Sequence, residues 1–346
     1  MSIGLLTLGD LVTDPVSGQR RTHAQRHRNI VDQAVLAEEV GMTSVHLGEH
    51  HFCDYILSSP PVVLGAIAER TTTIRLSTGV ALGVNLDAVR LAEDYATVDV
   101  LSGGRVEPCI GRGTFFPHTF KAFGQDPASA KQVFADNLEL LVRLWECDDV
   151  TWSGTTRGSV EHLTVNPRPL QMPRPPIWVG AGASADSVDL AARLGLWLML
   201  PTVFGTIEMF VSVVEQYEAA WERYGRDPSD RRIGCCSHTF VHRDAATARG
   251  LWEPRYRAYI EWVNDLQARS SGGRNRGLDG FDFDALTANT AMCGSPAQLV
   301  DRMGQIRDAL HLDTHILMLD MGGMPDSDLF AAIELVGDGV IGQLPK

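Results

Sequence analysis

The sequence lacks the features of several large classes of proteins. Among its 346 residues, no apolar run approaches the roughly 18 residues that a membrane-spanning helix needs, and the N-terminal stretch has no basic leader with a cleavage site. There is also no cluster of Lys and Arg, and the formal net charge of −13 disfavours nucleic acid or an anionic membrane surface as the main partner. We therefore expect a cytoplasmic protein that binds neither a membrane nor nucleic acid.

The patterns of disulfide-rich and metal-binding proteins are missing as well. The six cysteines are scattered without a CxxC pair, and only Cys235 and Cys236 are adjacent, so free thiols are expected. Three histidines lie close together, His46, His50 and His51, but the order HExxH is absent and no nearby cluster supplies a third ligand. We therefore expect no metal site.

What the sequence does contain is an alternation of short apolar runs with amphipathic helical stretches. This alternation is typical of a parallel sheet built from βα units. Eight apolar runs fit a closed barrel better than an open doubly wound sheet, which would have fewer strands and a switch point. The sequence therefore predicts an α/β fold, with one (β/α)8 TIM-type barrel domain over residues 1–346. The predicted strands are 3–8, 44–47, 74–80, 106–110, 177–180, 196–200, 233–241 and 315–320.

Helical periodicity between these strands predicts the outer layer of the barrel. Ser295 is a candidate N-cap, with Pro296 at the first helical position. The predicted helices are 28–40, 88–101, 130–145, 185–194, 209–224 and 296–309.

Two segments exceed a minimal barrel and are predicted to be insertions. Residues 148–176 contain several prolines and indicate a hairpin-like insertion before the fifth strand. Residues 245–292 open with a helix rich in Trp, Tyr and Arg and continue through "SSGGRNRGLDG". A glycine-rich segment of this length is typical of a mobile lid, and we expect it to determine which substrate is bound.

Candidate catalytic residues follow the second predicted strand, because the chemistry of a parallel barrel lies at the C-terminal ends of its strands. His50 and His51 occupy this rim, where a neutral imidazole suits proton transfer. The spacing does not decide which of the two faces inward, and Glu49 could orient either one. His46 lies within the strand and is expected to be a hydrogen-bonded core residue.

A candidate phosphate site follows the fourth and fifth strands. The fifth strand leads into "GAGAS" (180–184) and then a helix, whose free N–H groups could bind a phosphate. Arg112, between two glycines, could supply the positive charge. "GAGASA" also fits the loose dinucleotide pattern Gly-x-Gly-x-x-Ala, but the next strand ends without the acidic residue that binds a ribose. A mononucleotide cofactor is the better interpretation, and a tight turn of small residues is the alternative.

The pocket walls are expected to be apolar and partly aromatic. Seven large side chains fall near predicted strand ends, which favours a flat ring or an apolar substrate as the ligand. They are Phe52, Val80, Leu82, Phe115, Phe116, Trp178 and Trp197.

Several segments together resemble one known family. In order, they are "GEHHF", "LSTGVALGVNLDAVRLAEDYATVDVLSGGRVEPCIGRG", "FKAFG", "PPIWVGAGAS", "AARLG" and "CGSPAQLVDRM". They are similar to the bacterial luciferase-like flavin monooxygenases over nearly the whole chain. The resemblance implies a TIM-type barrel with insertions, reduced FMN as cosubstrate and molecular oxygen as oxidant. It also implies a separate NAD(P)H-dependent flavin reductase and a homodimer formed through helices on one side of the barrel.

The resemblance also implies roles for single residues. His50 matches the family's catalytic histidine, with Glu49 before it, and Arg112 matches its phosphate-binding arginine. The remaining cofactor contacts that it implies are Gly79, Val80, Ala81, Gly182, Ala183, Ser184 and Ser187. Among these, Gly79–Val80 corresponds to a bond that is a non-prolyl cis peptide against the flavin ring in many members.

The resulting hypothesis is a flavin-dependent monooxygenase that oxidises a small apolar organic substrate through a flavin (hydro)peroxide, with His50 as acid/base. Two alternatives remain. One is a deazaflavin-dependent dehydrogenase with His50 as the base on an alcohol, and the other is a non-catalytic flavin-binding subunit. The chain departs from the light-emitting members at Gly111, where they carry a cysteine, so bioluminescence is not expected. It also lacks the proline usual in the family's terminal segment, which should affect packing more than chemistry.

Overall fold

The computed structural model describes residues 1–203, 205–270 and 281–344. Its strands are β1 (Ser2–Thr7), β2 (Ser44–Leu47), β3 (Arg75–Thr78), β4 (Ala81–Leu82), β5 (Cys109–Gly111), β6 (Val150–Trp152), β7 (Val160–Leu163), β8 (Trp178–Gly180), β9 (Trp197–Leu200), β10 (Ile233–Val241), β11 (Met292–Gly294) and β12 (Thr314–Met318). Its α-helices are α1 (His23–Glu39), α2 (Pro60–Ala68), α3 (Ala88–Leu101), α4 (His118–Ala122), α5 (Ala130–Glu146), α6 (Ala185–Leu194), α7 (Ile207–Arg223), α8 (Ala245–Ser270), α9 (Phe283–Thr287), α10 (Pro296–Leu310) and α11 (Asp326–Gly339).

Nine parallel strands form a nearly closed barrel, which confirms the predicted fold class. Their order is β3-β2-β1-β12-β10-β9-β8-β5-β4, and β11 adds to β10 outside this ring. The predicted third strand, 74–80, contains β3, whereas β4 begins after its predicted end, beyond the cis peptide at Gly79–Val80. The ring closes where the N–H of Leu76 in β3 donates to the carbonyl of Arg105 at 2.9 Å, just before β5.

The barrel interior explains why these strands are so apolar in sequence. Both faces of a parallel strand are covered, and all nine residues of β10 are buried. Several polar side chains inside are hydrogen-bonded to one another or to the backbone, because an unpaired polar group is costly there. His46 Nε2 lies 2.9 Å from Ser44 Oγ, and burial lowers the pKa of His46 to about 4. His46 is therefore a core residue, as predicted.

The helix boundaries follow local capping signals. Ser295 caps α10, with Pro296 at its first position, as predicted. α1 begins at His23, five residues before its predicted start, because Thr22 and Gln25 form a capping box. Four helices were not predicted: α2, the short α4 and α9, and α11. α2 reads "PPVVLGAIA" and has no polar residue, so it shows no helical periodicity in sequence.

The two predicted insertions have different structures. Within 148–176, β6 and β7 pair as an antiparallel hairpin. Residues 245–270 form the single long helix α8, whose side chains Trp252, Tyr256 and Tyr259 are buried. This part is thus a packed element rather than an open loop, while residues 271–280 of the predicted lid lie outside the described residues.

A buried ion pair ties α8 to the loop after β1. Arg255 Nε lies 3.0 Å from Asp14 Oδ1, and Arg255 Nη2 donates to Asp14 Oδ2 at 3.1 Å. Both side chains are almost fully buried. α8 therefore has a fixed position over the C-terminal end of the barrel. Among the described residues, no helix is long and apolar enough to cross a bilayer.

Candidate active site

A cavity of about 300 Å³ opens at the C-terminal ends of the barrel strands. Its wall is mostly apolar and combines strand-end residues with side chains of α8. Of the predicted site residues, Ala81 and Ala183 do not line it, although both are chain neighbours of residues that do. The structure brings the others together on this wall: Glu49, His50, Gly79, Val80, Arg112, Gly182, Ser184 and Ser187.

One side of the cavity is formed by the break between β3 and β4. The Gly79–Val80 peptide bond is cis, as the resemblance implies. Glu49 spans this break, because its N–H donates to the carbonyl of Val80 at 3.0 Å and its Oε2 accepts from the N–H of Leu82 at 3.0 Å. The buried Glu49 carboxylate therefore positions the rim of the cavity.

The position of the Val80 side chain explains why the two residues that face it, at positions 111 and 180, are glycines. A Cβ atom at Gly111 would lie 2.6 Å from Val80 Cγ2, and one at Gly180 would lie 2.5 Å from Val80 Cγ1. Both distances are shorter than carbon–carbon contacts allow. Position 111 therefore has no room for a side chain while Val80 takes this conformation.

The structure distinguishes the two adjacent histidines. The His50 ring lines the cavity, stacked on Tyr55 at 4.3 Å between centroids and with Phe116 edge-on at 5.2 Å. Its nitrogens have no hydrogen-bond partner among the described residues. His51 instead points away and lies 2.7 Å from Glu49 Oε1 through Nε2.

His50 is held in its neutral form. The protein surrounds the ring except where it faces the cavity, and this burial, with a smaller effect of His51, lowers the pKa of His50 to about 3. A neutral imidazole without a protein partner can accept a proton from a ligand in the cavity.

A positively charged region lies at the mouth of the cavity, between β5 and α6. The half-buried Arg112 makes no hydrogen bond or ion pair with any described residue. Partial burial lowers its pKa, and the more distant charge of Asp186 opposes this effect. Asp186 itself pairs with Lys131. A half-buried guanidinium in this position is suited to bind an anion.

The start of α6 lies on the same part of the wall. Ser184 occupies the N-cap position, but its side chain makes no capping hydrogen bond. The N–H of Ser187 donates to the carbonyl of Ser184 at 3.0 Å, so the N–H groups of Ala185 and Asp186 are those left to a ligand or to water. The Ser187 hydroxyl lies 3.4 Å from that of Ser184. With Arg112, these groups fit a phosphate.

Three further residues line the cavity that the sequence analysis did not identify. Tyr55 and Tyr259 are buried, with their hydroxyl oxygens 2.7 Å apart. His238, near the end of β10, has its Nδ1 3.0 Å from the hydroxyl of Tyr256. His238 could have been predicted as a cavity residue, because it lies in the C-terminal half of the predicted strand 233–241. Tyr259 had none, because α8 only folds back over the barrel in three dimensions.

Part of the predicted pocket wall was wrong. Val80, Leu82, Phe115 and Phe116 line the cavity. Phe52 does not, and 64% of it is exposed. Trp178 and Trp197 pack edge-to-face at the opposite end of the barrel, because each begins its strand rather than ends it. Across the described residues, no group of three His, Cys, Asp or Glu side chains could hold a metal ion.

Comparison with known proteins assigns the chain to a family. The family model for the luciferase-like monooxygenases matches residues 1–312. The chain belongs to the luciferase-like monooxygenase family. This membership confirms the resemblance seen in the sequence.

Curated relatives of this luciferase-like monooxygenase span most of its length. The uncharacterized protein y4vJ of Sinorhizobium fredii is 26% identical over 342 residues, which cover 95% of each chain. The oxygenase component of the flavin-dependent trigonelline monooxygenase of Acinetobacter baylyi is 24% identical over 324 residues, covering 88% of this chain and 86% of the relative.

Solved structures share the fold of this luciferase-like monooxygenase. The monooxygenase RslO1 of Streptomyces bottropensis superposes with a TM-score of 0.87 at 28% identity, covering 99% of both chains. The FMN complex of the oxygenating constituent of 3,6-diketocamphane monooxygenase of Pseudomonas putida has a TM-score of 0.78 at 19% identity, covering 100% of this chain and 99% of that one. An F420-dependent secondary alcohol dehydrogenase has a TM-score of 0.76 at 17% identity, covering 98% of both chains.

Proposed function

We propose that this protein is the oxygenase of a two-component system, which binds reduced FMN and uses molecular oxygen to oxidise a small, largely apolar organic substrate. The observation that carries the proposal is the half-buried Arg112. It has no hydrogen-bonding partner among the described residues, and it lies beside the uncapped start of α6 in the same cavity as His50. An anionic group at this point would direct the rest of its molecule towards the imidazole.

The donor set fits FMN. Arg112, the first turn of α6, Ser184 and Ser187 would hold the phosphate, with Gly182 and Ala183 allowing its close approach. The flavin ring would lie against Gly79 and Val80 at the cis peptide, while the buried Ala81 packs behind this wall. A solved structure with the same fold contains FMN, which supports this choice.

Reduced flavin would supply the electrons that activate oxygen. Neutral His50 would accept a proton from the substrate or flavin side and return it later in the cycle. Glu49 would contribute to catalysis indirectly. Its hydrogen bonds would fix the backbone of Val80 and Leu82 at the cavity rim and the orientation of the His51 ring. α8 would keep water from the cavity with Tyr259, Ile260 and Val263, which line it.

Two protein partners follow from this proposal. A separate NAD(P)H-dependent flavin reductase would deliver the reduced FMN, as the name of the trigonelline relative, an oxygenase component, suggests. A second copy of the chain would cover α2, whose outward Val62 is 71% exposed on a helix without any polar residue. The exposed Val100 and Leu101 at the end of the neighbouring α3 extend this apolar surface.

The choice of cofactor can be tested directly. The purified protein is mixed without oxygen with equal amounts of reduced FMN and reduced F420, the bound cofactor is identified after gel filtration, and oxygen uptake is then measured. We expect FMN to be retained and oxygen to be consumed. Retention of F420 without oxygen uptake would instead support a deazaflavin-dependent dehydrogenase. Bound FMN that reacts with oxygen no differently from free FMN would indicate a non-catalytic subunit.

A further inference from the structure

The wall of the cavity formed by β10 and α8 is not used by the proposed flavin contacts. β10 is four strands away from both β3 and β4 in the barrel order, so it lies across the barrel from the cis peptide at Gly79–Val80. His238 of β10 and Tyr259 of α8 both line the cavity from this side. A molecule between the flavin ring and this wall would contact both side chains.

His238 presents a hydrogen-bond donor to the cavity. Its Nδ1 lies 3.0 Å from the hydroxyl of the buried Tyr256. If the hydroxyl donates to Nδ1, both groups are satisfied and the ring proton is on Nε2. The opposite arrangement leaves a buried phenol proton without an acceptor, which is unfavourable. Nε2 has no partner among the described residues, and burial lowers the pKa of His238 to about 3, so the ring is neutral.

The tyrosine pair supplies a second donor. The hydroxyl oxygens of Tyr55 and Tyr259 are 2.7 Å apart, and burial raises the pKa of both phenols well above its usual value. Two phenol protons are therefore present, and only one is used in the bond between them. The other proton has no acceptor among the described residues, and both side chains line the cavity.

Within the described part of the chain, the cavity wall beside these donors carries no charged residue; behind it, Asp10 and Asp320 are paired with Arg26. Glu49 and Arg112 are the charged residues on the cavity wall. The Glu49 carboxylate is occupied by His51 and by the N–H of Leu82, and Arg112 lies on the phosphate side. Around His238 and Tyr259 the wall is apolar, formed by Ile260, Val263, Ile316 and Met318. Two donors in an apolar wall match a neutral ligand that carries a hydrogen-bond acceptor.

We propose that this wall binds a neutral, ring-containing substrate through a carbonyl oxygen, which accepts hydrogen bonds from His238 Nε2 and from the Tyr55–Tyr259 pair. The rings of Tyr55 and Phe116, which pack on His50 and lie 6.4 Å apart between centroids, complete an aromatic surface suited to a flat substrate. The proposal rests on the proposed function in placing the flavin on the opposite side of the cavity.

The test compares two ligands that differ only in the carbonyl group, 1-tetralone and tetralin. Their dissociation constants are measured by calorimetry with the FMN-saturated protein and again without FMN. We expect the wild type to bind 1-tetralone at least about tenfold more tightly, since a hydrogen bond to a buried donor is lost with tetralin. We expect His238→Leu and the double variant Y55F/Y259F each to reduce this ratio severalfold, since each removes one of the two donors, and their combination to bring it near one.

Two controls separate hydrogen bonding from structural damage. His238→Gln places an amide N–H near the position of Nε2 and should keep most of the preference. Tyr224→Phe changes a half-exposed tyrosine away from the cavity and should change nothing. FMN affinity should be the same in all variants.

The proposal is overturned if the wild type binds 1-tetralone no more tightly than tetralin, or if His238→Leu keeps the preference. If the preference persists while FMN fails to bind, the carbonyl site stands and the flavin assignment is wrong.

Discussion

At the scale of single residues, His50 and His51 have adjacent positions but separate functions. His51 is hydrogen-bonded to Glu49, which in turn is hydrogen-bonded to the backbone of Val80 and Leu82 at the rim of the cavity. The His50 ring packs on Tyr55 and Phe116 and faces the ligand space. The difference follows from the chain direction after β2, which turns successive side chains to opposite sides.

We predict that His50→Ala abolishes substrate oxidation while leaving FMN affinity within about twofold of wild type. A lost acid/base group typically lowers the rate by about 10²–10⁴. The measurement is oxygenated product formed per flavin oxidised, with the exposed His27→Ala as the matched control. Product formation at the wild-type rate in His50→Ala would remove this histidine from the mechanism.

A second residue-scale prediction concerns Gly111. We expect Gly111→Ala to lower the free energy of unfolding by about 1–3 kcal/mol, because the added methyl group would overlap Val80. Denaturant unfolding measures the change. The double variant Val80→Ala/Gly111→Ala removes the overlapping methyl groups and should recover most of the loss. If Gly111→Ala unfolds like the wild type, Val80 is not fixed in the described conformation.

At the scale of elements, α8 converts an open barrel end into a cavity. Its inner face carries Tyr259, Ile260 and Val263 onto the cavity wall, and the Arg255–Asp14 pair anchors it to the loop after β1. An anchored helix gives the substrate side a defined shape, which the proposed carbonyl site requires.

We predict that Arg255→Met destabilises the protein by about 3–5 kcal/mol, because it leaves the buried Asp14 carboxylate without its cation. Thermal unfolding and limited proteolysis within α8 measure the effect. The double variant D14N/R255M should recover a large part of it. Equal stability of Arg255→Met and the wild type would contradict the anchoring role of this pair.

The elements differ in how well the sequence predicts them. Strands such as β10 are buried on both faces and form continuous apolar runs, so they are readily recognised. α2 was missed because its outer face is apolar as well, which removes the helical period. The interruption at Gly79–Val80 was inferred only from the family resemblance, since nothing in the local composition distinguishes this glycine from others.

The candidate site was also predicted only in part, because some of its residues are brought there by tertiary contacts. Residues at strand ends, such as His50 and Arg112, share one rim in any parallel barrel, so sequence order locates them. Trp178 and Trp197 were wrongly assigned to the pocket, although the predicted strands 177–180 and 196–200 already put each at the N-terminal end of its strand, away from the rim. Tyr259 depends on how α8 crosses the barrel, and that position is set by tertiary contacts such as Arg255–Asp14.

At the scale of the whole molecule, the exposed apolar surface of α2 and α3 is the surface that we propose for dimerisation. We predict that the wild type sediments at twice the mass of the chain and that Val62→Lys shifts it towards the monomer, because a lysine would be buried in the interface. Val16→Lys, at a similarly exposed valine outside this surface, is the control. A monomeric wild type, or a Val62→Lys variant that remains a dimer, would contradict the proposed assembly.

The central claim is that the cavity binds a flavin mononucleotide with its phosphate at Arg112. The most direct test is the dissociation constant of FMN and of riboflavin, which lacks the phosphate, for wild type and Arg112→Met, with the surface variant Arg70→Met as control. We predict that the wild type binds FMN at least about tenfold more tightly than riboflavin, and that Arg112→Met loses this preference. Equal wild-type affinity for the two flavins, or an undiminished preference in Arg112→Met, would contradict the account.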